Sequence, residues 1–245
     1  MLLLYIYITT AFLTLLAAAN VEKTIFLGPS PLAIPALNPA LDDLDLERLS
    51  PENGMLRTNL NASFPTTDEP GTESWYFLEN LSPGQRYEVR ICWLATQPTD
   101  FTLRTYTLPQ VLENRSLLYS ISAYSSVRLS AVPQSQPQKI LTRKQRGLSQ
   151  DAATSDSVLF LQIITAADYF SLDQALMENV PSVLADIILD PFLGNIFPRS
   201  LVPTACWVAV VTVLAVLVAR WAAGEFGRLV DSVEMRSSAG GKKDL

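Results

Sequence analysis

Asp43 and Asp45, in the segment LDDLDLERL, are the residues whose type and spacing come nearest to chemistry. Carboxylates in a D-x-D arrangement can share a divalent cation, the device some sugar-nucleotide transferases use. The match is three residues long, and the flanking chain lacks the alternating strand and helix pattern of a nucleotide-binding fold. The chain has no histidine, which removes the commonest general base, the commonest metal ligand and the usual triads. Its cysteines are Cys92 and Cys206, and Cys206 falls inside an apolar run. Cys92 has no partner for a disulfide there and reads as a free thiol rather than a nucleophile. No nucleophile elbow, phosphate loop or metal cluster is legible. The reading is therefore a non-enzyme, with no catalytic, cofactor-binding or metal residues.

The elements around these residues point to a membrane-anchored secretory protein. Net charge is −6, so no broad basic surface calls for nucleic acid. Hydrophobic residues make up 49% of the chain, and the excess sits at its two ends. Residues 1–19 carry no charged side chain and close on Ala17-Ala18-Ala19, the pattern of a cleaved signal peptide. Residues 201–221 form a second apolar run, LVPTACWVAVVTVLAVLVARW. At about 1.5 Å per residue it matches a hydrocarbon core of roughly 30 Å, and no face of it is polar. Arg220 lies at its end and Arg228, Arg236, Lys242 and Lys243 follow it, whereas Arg199 is the near cation before it. That asymmetry predicts a single-pass type I protein with a cytosolic tail over residues 222–245. Lys242 and Lys243, third and fourth from the end, have the spacing of a dilysine retrieval signal read by coat machinery. Three sequons begin at Asn61, Asn80 and Asn114, all in the expected lumenal part. The predicted location is the endoplasmic reticulum membrane.

Residues 20–171 read as a β-rich lumenal domain. VEKTIFLGP is a short strand stopped by Gly28-Pro29, and residues 30–74 read as loops with short elements. In SWYFLENLSPGQRYEVRICWLATQ a strand, a turn at Ser82-Pro83-Gly84 and a second strand are legible. Tyr87, Val89, Ile91 and Trp93 share one face of the second strand, the alternation of a half-buried antiparallel strand. TDFTLRTYTL is the next strand, with further strand-like runs over 117–122 and 127–131. Residues 157–170 are apolar on both faces, as a central strand is. The polar stretch 133–157, with Lys139, Arg143, Lys144 and Arg146, reads as a solvated loop. Residues 172–200 read as a juxtamembrane amphipathic segment. Val180, Val183, Leu184, Ile187 and Ile188 form a helical stripe there, which suits lying on the bilayer, a partner contact through the last four, or equally packing on the domain itself.

The stretch Leu81-Ser82-Pro83-Gly84-Gln85-Arg86-Tyr87 resembles the corner that enters a long strand in fibronectin type III domains. The resemblance implies that the tyrosine hydroxyl caps a backbone group across the corner. The expected fold class is mainly β: a sandwich-like domain of fibronectin III or immunoglobulin type, with one C-terminal transmembrane helix. The whole layout resembles the fungal GPI mannosyltransferase II co-activator family, on Val21–Leu27, the region 75–93, and DPFLGNIFPRSL at the membrane. That resemblance implies an accessory subunit. Its partner would be a multispanning ER enzyme, the catalytic mannosyltransferase subunit that adds the second mannose to the GPI precursor. It supplies no catalytic residue to carry over. The rival class is an ER chaperone, cargo receptor or subunit of a membrane-insertion complex.

Overall fold

The computed structural model describes residues 20–33, 41–131 and 155–240. The expected signal peptide, the basic stretch 139–146 and the Lys242-Lys243 pair lie outside the described residues. The chain falls into two units, residues 1–198 and 199–245.

In the first unit the strands run β1 (Val21–Leu27), β2 (Leu32–Ala33), β3 (Glu47–Leu49), β4 (Met55–Leu60), β5 (Thr72–Leu78), β6 (Arg86–Trp93) and β7 (Thr99–Thr107). A 3-10 turn, Leu41–Leu44, precedes β3. Helices α1 (Leu108–Glu113) and α2 (Arg115–Ala131) follow β7. Then come β8 (Ser155–Asp156), β9 (Leu159–Ala167), helix α3 (Gln174–Glu178), β10 (Val183–Leu193) and β11 (Phe197–Pro198). The second unit holds a 3-10 turn, Arg199–Leu201, and helix α4 (Val202–Gly240).

Two sheets build the sandwich, and β2 pairs with β8 in a separate two-stranded sheet. One has the order β1-β6-β10-β11, with β4 also paired to β10; the other has the order β3-β5-β9-β7. All these pairings are antiparallel except β3 with β5. The chain changes sheet at each of the connections β4–β5, β5–β6, β6–β7 and β9–β10. That is the wiring of a sandwich rather than of successive hairpins. Alternation decides which residues face inward. Tyr87, Val89 and Ile91 of β6 meet Tyr76 and Leu78 of β5, Phe101 of β7, and Leu159, Leu161 and Ile163 of β9.

A helical layer covers the outside of the second sheet. Trp75, Phe77 and Phe160 point away from the sandwich core and pack under Leu108, Val111 and Ile121 of α1 and α2. β9 is thus buried on both faces, all nine residues of it, which explains a mainly apolar sequence broken by Gln162 and Thr165. α1 starts on a capping box in which Thr107 and Gln110 satisfy each other's backbone N–H groups.

The strand-like runs expected at 117–122 and 127–131 are a correction: both lie within α2. Asn114 opens that helix, its Oδ1 accepting from the Ser116 N–H at 3.0 Å. Leu117, Ile121, Tyr124 and Arg128 then recur at helical spacing against the sheet. Ser122 and Ser126 return their hydroxyls to carbonyls one turn back, at 2.8 Å each.

The expected amphipathic helix near Val183 is the second correction. Val183–Leu193 is a strand whose register is fixed on both sides, Ile187 lying opposite Leu56 of β4 and Ile91 of β6. Residues 172–198 therefore belong to the sandwich and supply one of its interior strands.

In the second unit, residues 199–228 form a helix long and apolar enough to cross a membrane. α4 continues past residue 221 to Gly240, well into the expected tail.

Candidate functional site

The acidic pair is tied into the scaffold. Leu44 ends the 3-10 turn, and Asp45 takes a left-handed backbone conformation with φ 48°. Ser125 of α2 donates to the Leu44 carbonyl at 2.8 Å. Arg128, one turn further along α2, lies 3.6 Å from Glu47 and stacks over Tyr124 at 5.9 Å. Burial works against the Arg128 charge. It is nevertheless held above its ordinary value by the Tyr124 hydrogen bond, then by Glu47, and also by Asp45. Asp45 is thus one of the carboxylates that balance a half-buried guanidinium. Desolvation pushes the neighbouring Tyr76 phenol far above its usual range, so it remains a neutral hydrogen-bonding group. Among the described residues, no three Asp, Glu, Cys or His side chains come together as a metal set.

The outward face of the first sheet is organised by register. Lys23, Arg90 and Ile188 stand in one row, and Val21, Cys92, Asp186 and Arg57 in the next. Its charges are paired in place. Lys23 lies 3.2 Å from Glu88, and Arg90 lies 3.7 Å from both Glu88 and Asp190. Arg57 grips Asp186 with two hydrogen bonds, at 2.7 and 2.8 Å. The same contact holds the Asp186 carboxyl below its ordinary range. Apolar side chains are uncovered on this face as well: Val21, Ile25 and Leu27 along β1, Met55 on β4 and Leu184 on β10. Of the four residues proposed from sequence as a contact stripe, the strand divides the set in two. Val183 and Ile187 are core residues; Leu184 is exposed and Ile188 half-buried on the outward face. Cys92 is a free, half-buried thiol on this face, and desolvation raises its pKa.

The end of the sandwich where the chain passes to α4 is knitted by side chain to backbone bonds. Tyr87 Oη accepts from the Ser82 N–H at 2.8 Å and donates to Gln85 Oε1 at 3.2 Å. The Gly28 N–H donates to the Gln85 carbonyl, and the Gly84 N–H to the Gly28 carbonyl. Gly28 is required here, since a Cβ on it would stand 2.2 Å from the Ser82 carbonyl oxygen. Asn195, in the β10–β11 turn, accepts from the Arg86 N–H at 2.7 Å and donates to the Gly84 carbonyl at 2.9 Å. No sequence-based expectation covers this turn. Its signal was the Gly194-Asn195 pair between two apolar runs, which suits a turn needing positive φ at both central residues.

The sequon asparagines Asn61, Asn80 and Asn114 are all exposed. Asn80 sits at φ 57°, a conformation asparagine tolerates better than most residues.

Comparison with known proteins adds one match. A family model described as GPI-Mannosyltransferase II co-activator matches residues 11–146, more than half of the chain. No curated protein and no solved structure matches. The matched stretch spans β1 through α2 and so includes the Ser82–Tyr87 corner, the acidic segment and all three sequons. The chain belongs to the GPI-Mannosyltransferase II co-activator family.

Proposed function

We propose that this protein is a non-catalytic subunit of an ER membrane enzyme, the mannosyltransferase that adds the second mannose to the GPI precursor. Family membership is the observation that carries the reading. In it, the sandwich is lumenal after removal of residues 1–19, α4 is a single type I span, and Asn61, Asn80 and Asn114 are glycan acceptors. The catalytic partner is multispanning. It docks on the outward face of the first sheet, where exposed Val21, Ile25 and Leu184 flank charges already paired with one another. Binding that favours the competent form of the enzyme raises its population by mass action. Lys242 and Lys243 return the complex to the ER through the coat machinery. Changing both to serine then gives Golgi-type processing of the glycans, and unaltered glycans would remove this role.

Depletion of the protein tests the main reading. GPI precursors carrying a single mannose should accumulate and surface GPI proteins should fall. A normal precursor pattern, with loss of some other class of membrane protein, would instead favour the chaperone or cargo-receptor class.

A further inference from the structure

The turn between β10 and β11 displays apolar side chains at the place where the chain leaves the sandwich. Ile196 is 83% exposed and Leu193 50%, and Phe197 is also exposed. Exposed apolar side chains on a flexible loop would mean little, because the loop could fold them inward. This loop is held. Gly194 and Asn195 both take left-handed conformations, φ 58° and 60°, and the Ile196 N–H closes the turn on the Leu193 carbonyl at 3.2 Å. Asn195 ties the turn to the Arg86 and Gly84 backbone, and Gln85 Nε2 donates to the Phe192 carbonyl at 3.2 Å. The Arg86 guanidinium lies over the Phe192 ring at 5.9 Å. The fold therefore presents Leu193 and Ile196 outward at a fixed position, with the exposed Arg86 held beside the turn through its backbone N–H.

Chain reach limits how far these residues can stand from the start of α4. The three-residue turn Arg199–Leu201 is all that separates β11 from α4. Even fully extended, Phe197 lies within roughly 17 Å of the first residue of α4, and a 3-10 turn at about 2 Å per residue brings it closer. The headgroup layer and the first part of the acyl region lie within that distance of the start of a span.

We propose that the β10–β11 turn is a lipid-seating element. Leu193, Ile196 and Phe197 enter the headgroup–acyl boundary of the lumenal leaflet, and Arg86 meets lipid phosphates. The inference rests on α4 being a span. Apolar area beside cationic side chains is the chemistry of an interfacial anchor.

The test uses the full chain in vesicles of phosphatidylcholine with a minority of phosphatidylinositol. In a C92S, C206S background, single cysteines replace Ile196, Val211 or Tyr119, each carrying an environment-sensitive fluorophore. The probe at 196 should be blue-shifted and quenched roughly twofold or more by lipids with a shallow spin label. The probe at 211 should be quenched by deep labels, and the probe at 119 by neither. A water-like, unquenched probe at 196 beside a quenched probe at 211 would overturn the seat and leave the span intact. An unquenched probe at 211 would overturn the span and the seat together. Shielding at 196 that appears only when the mannosyltransferase subunit is co-reconstituted would assign the turn to a protein partner and also overturn the seat. An I196D variant checks the sign without relying on a label. It should keep its melting temperature while tryptophan quenching by shallow lipid labels changes; no change would count against the seat.

Discussion

Tyr87 and Ser82 are joined across the β5–β6 corner: the tyrosine hydroxyl accepts the Ser82 backbone N–H at 2.8 Å, while the ring is fully buried and stacks on Phe26 at 5.8 Å. This bond fixes the angle at which the chain crosses from one sheet to the other. Tyr87→Phe keeps the ring and removes the acceptor, leaving a backbone N–H without its partner. The expected cost is about 1–2 kcal/mol. Gly28→Ala acts on the same corner by steric means, since its Cβ would meet the Ser82 carbonyl. Crowding a close backbone contact costs about 1–3 kcal/mol. Chemical denaturation of the two single variants and the double should show losses smaller than additive, because both disturb one corner. Strict additivity would mean that the corner does not act as a unit.

The Arg57–Asp186 pair sets a weak dependence of stability on acid. Its hydrogen bonds, then desolvation in the opposite sense, leave the Asp186 carboxyl below its ordinary value. A depressed carboxyl contributes stability that is fully present above its unfolded pKa and is lost as pH falls through the folded value. The guanidinium side chain is largely exposed, so solvent and salt reduce the contribution. Asp186→Asn should therefore flatten a small part of the acid limb of the stability curve at low ionic strength. At high salt the variant and the parent should coincide. A large loss at neutral pH in high salt would contradict this account.

Cys92 should behave as a protected thiol. Desolvation raises its pKa despite the nearby Arg90 charge, so the reactive thiolate is scarcer than in an exposed cysteine at neutral pH. In a C206S background, alkylation of the folded protein should be slower than that of the unfolded chain. The rate should go on rising with pH beyond the range in which an ordinary thiol levels off. Equal rates for folded and unfolded protein would show that the thiol is freely accessible and unshifted.

Strands with one clear period were legible in the sequence. β6 alternates strictly, β1 ends on Gly28-Pro29, and β9 is mainly apolar on both faces because a sheet covers one face and the helical layer the other. α2 was misread because its serines fall between apolar residues and imitate alternation; their hydroxyls instead return to the preceding turn of the helix. β10 was misread for a related reason. Residues 180, 183, 184, 187 and 188 satisfy a helical stripe, but 183, 185, 187 and 189 satisfy a strand equally well. The weakly apolar Ala185 hid the second pattern, while Leu184 and Ile188 on the outward face reinforced the first. What local pattern could not supply was the pairing of β10 with both β4 and β6, a contact between segments distant in the chain. The acidic pair was legible as a motif, but its Arg128 neighbour comes from α2 and is visible only in three dimensions.

Strand geometry divides residues 183–188 between the core and the outward face. Leu184 and Ile25 are exposed on the outward face, whereas Ile187 is wholly buried in the core. If the catalytic subunit docks on that face, an Ile25→Asp, Leu184→Asp double variant should reduce its co-purification from ER membranes. The variant protein should remain folded and present at its normal level, and single-mannose GPI precursors should accumulate. Ile187→Ala should also lower activity, but by another route. A cavity in the core costs about 2–5 kcal/mol, so the protein itself should become scarce and protease-sensitive. Asp43→Asn with Asp45→Asn should leave association and the precursor pattern close to normal, with at most a modest loss of stability from weakened balance of the Arg128 charge. Unchanged co-purification of the Ile25 and Leu184 variant would move the docking surface elsewhere on the protein. Complete loss of mannosyl transfer in a folded, enzyme-bound aspartate variant would mean that the acidic pair takes part in the reaction, and the accessory reading would have to be given up.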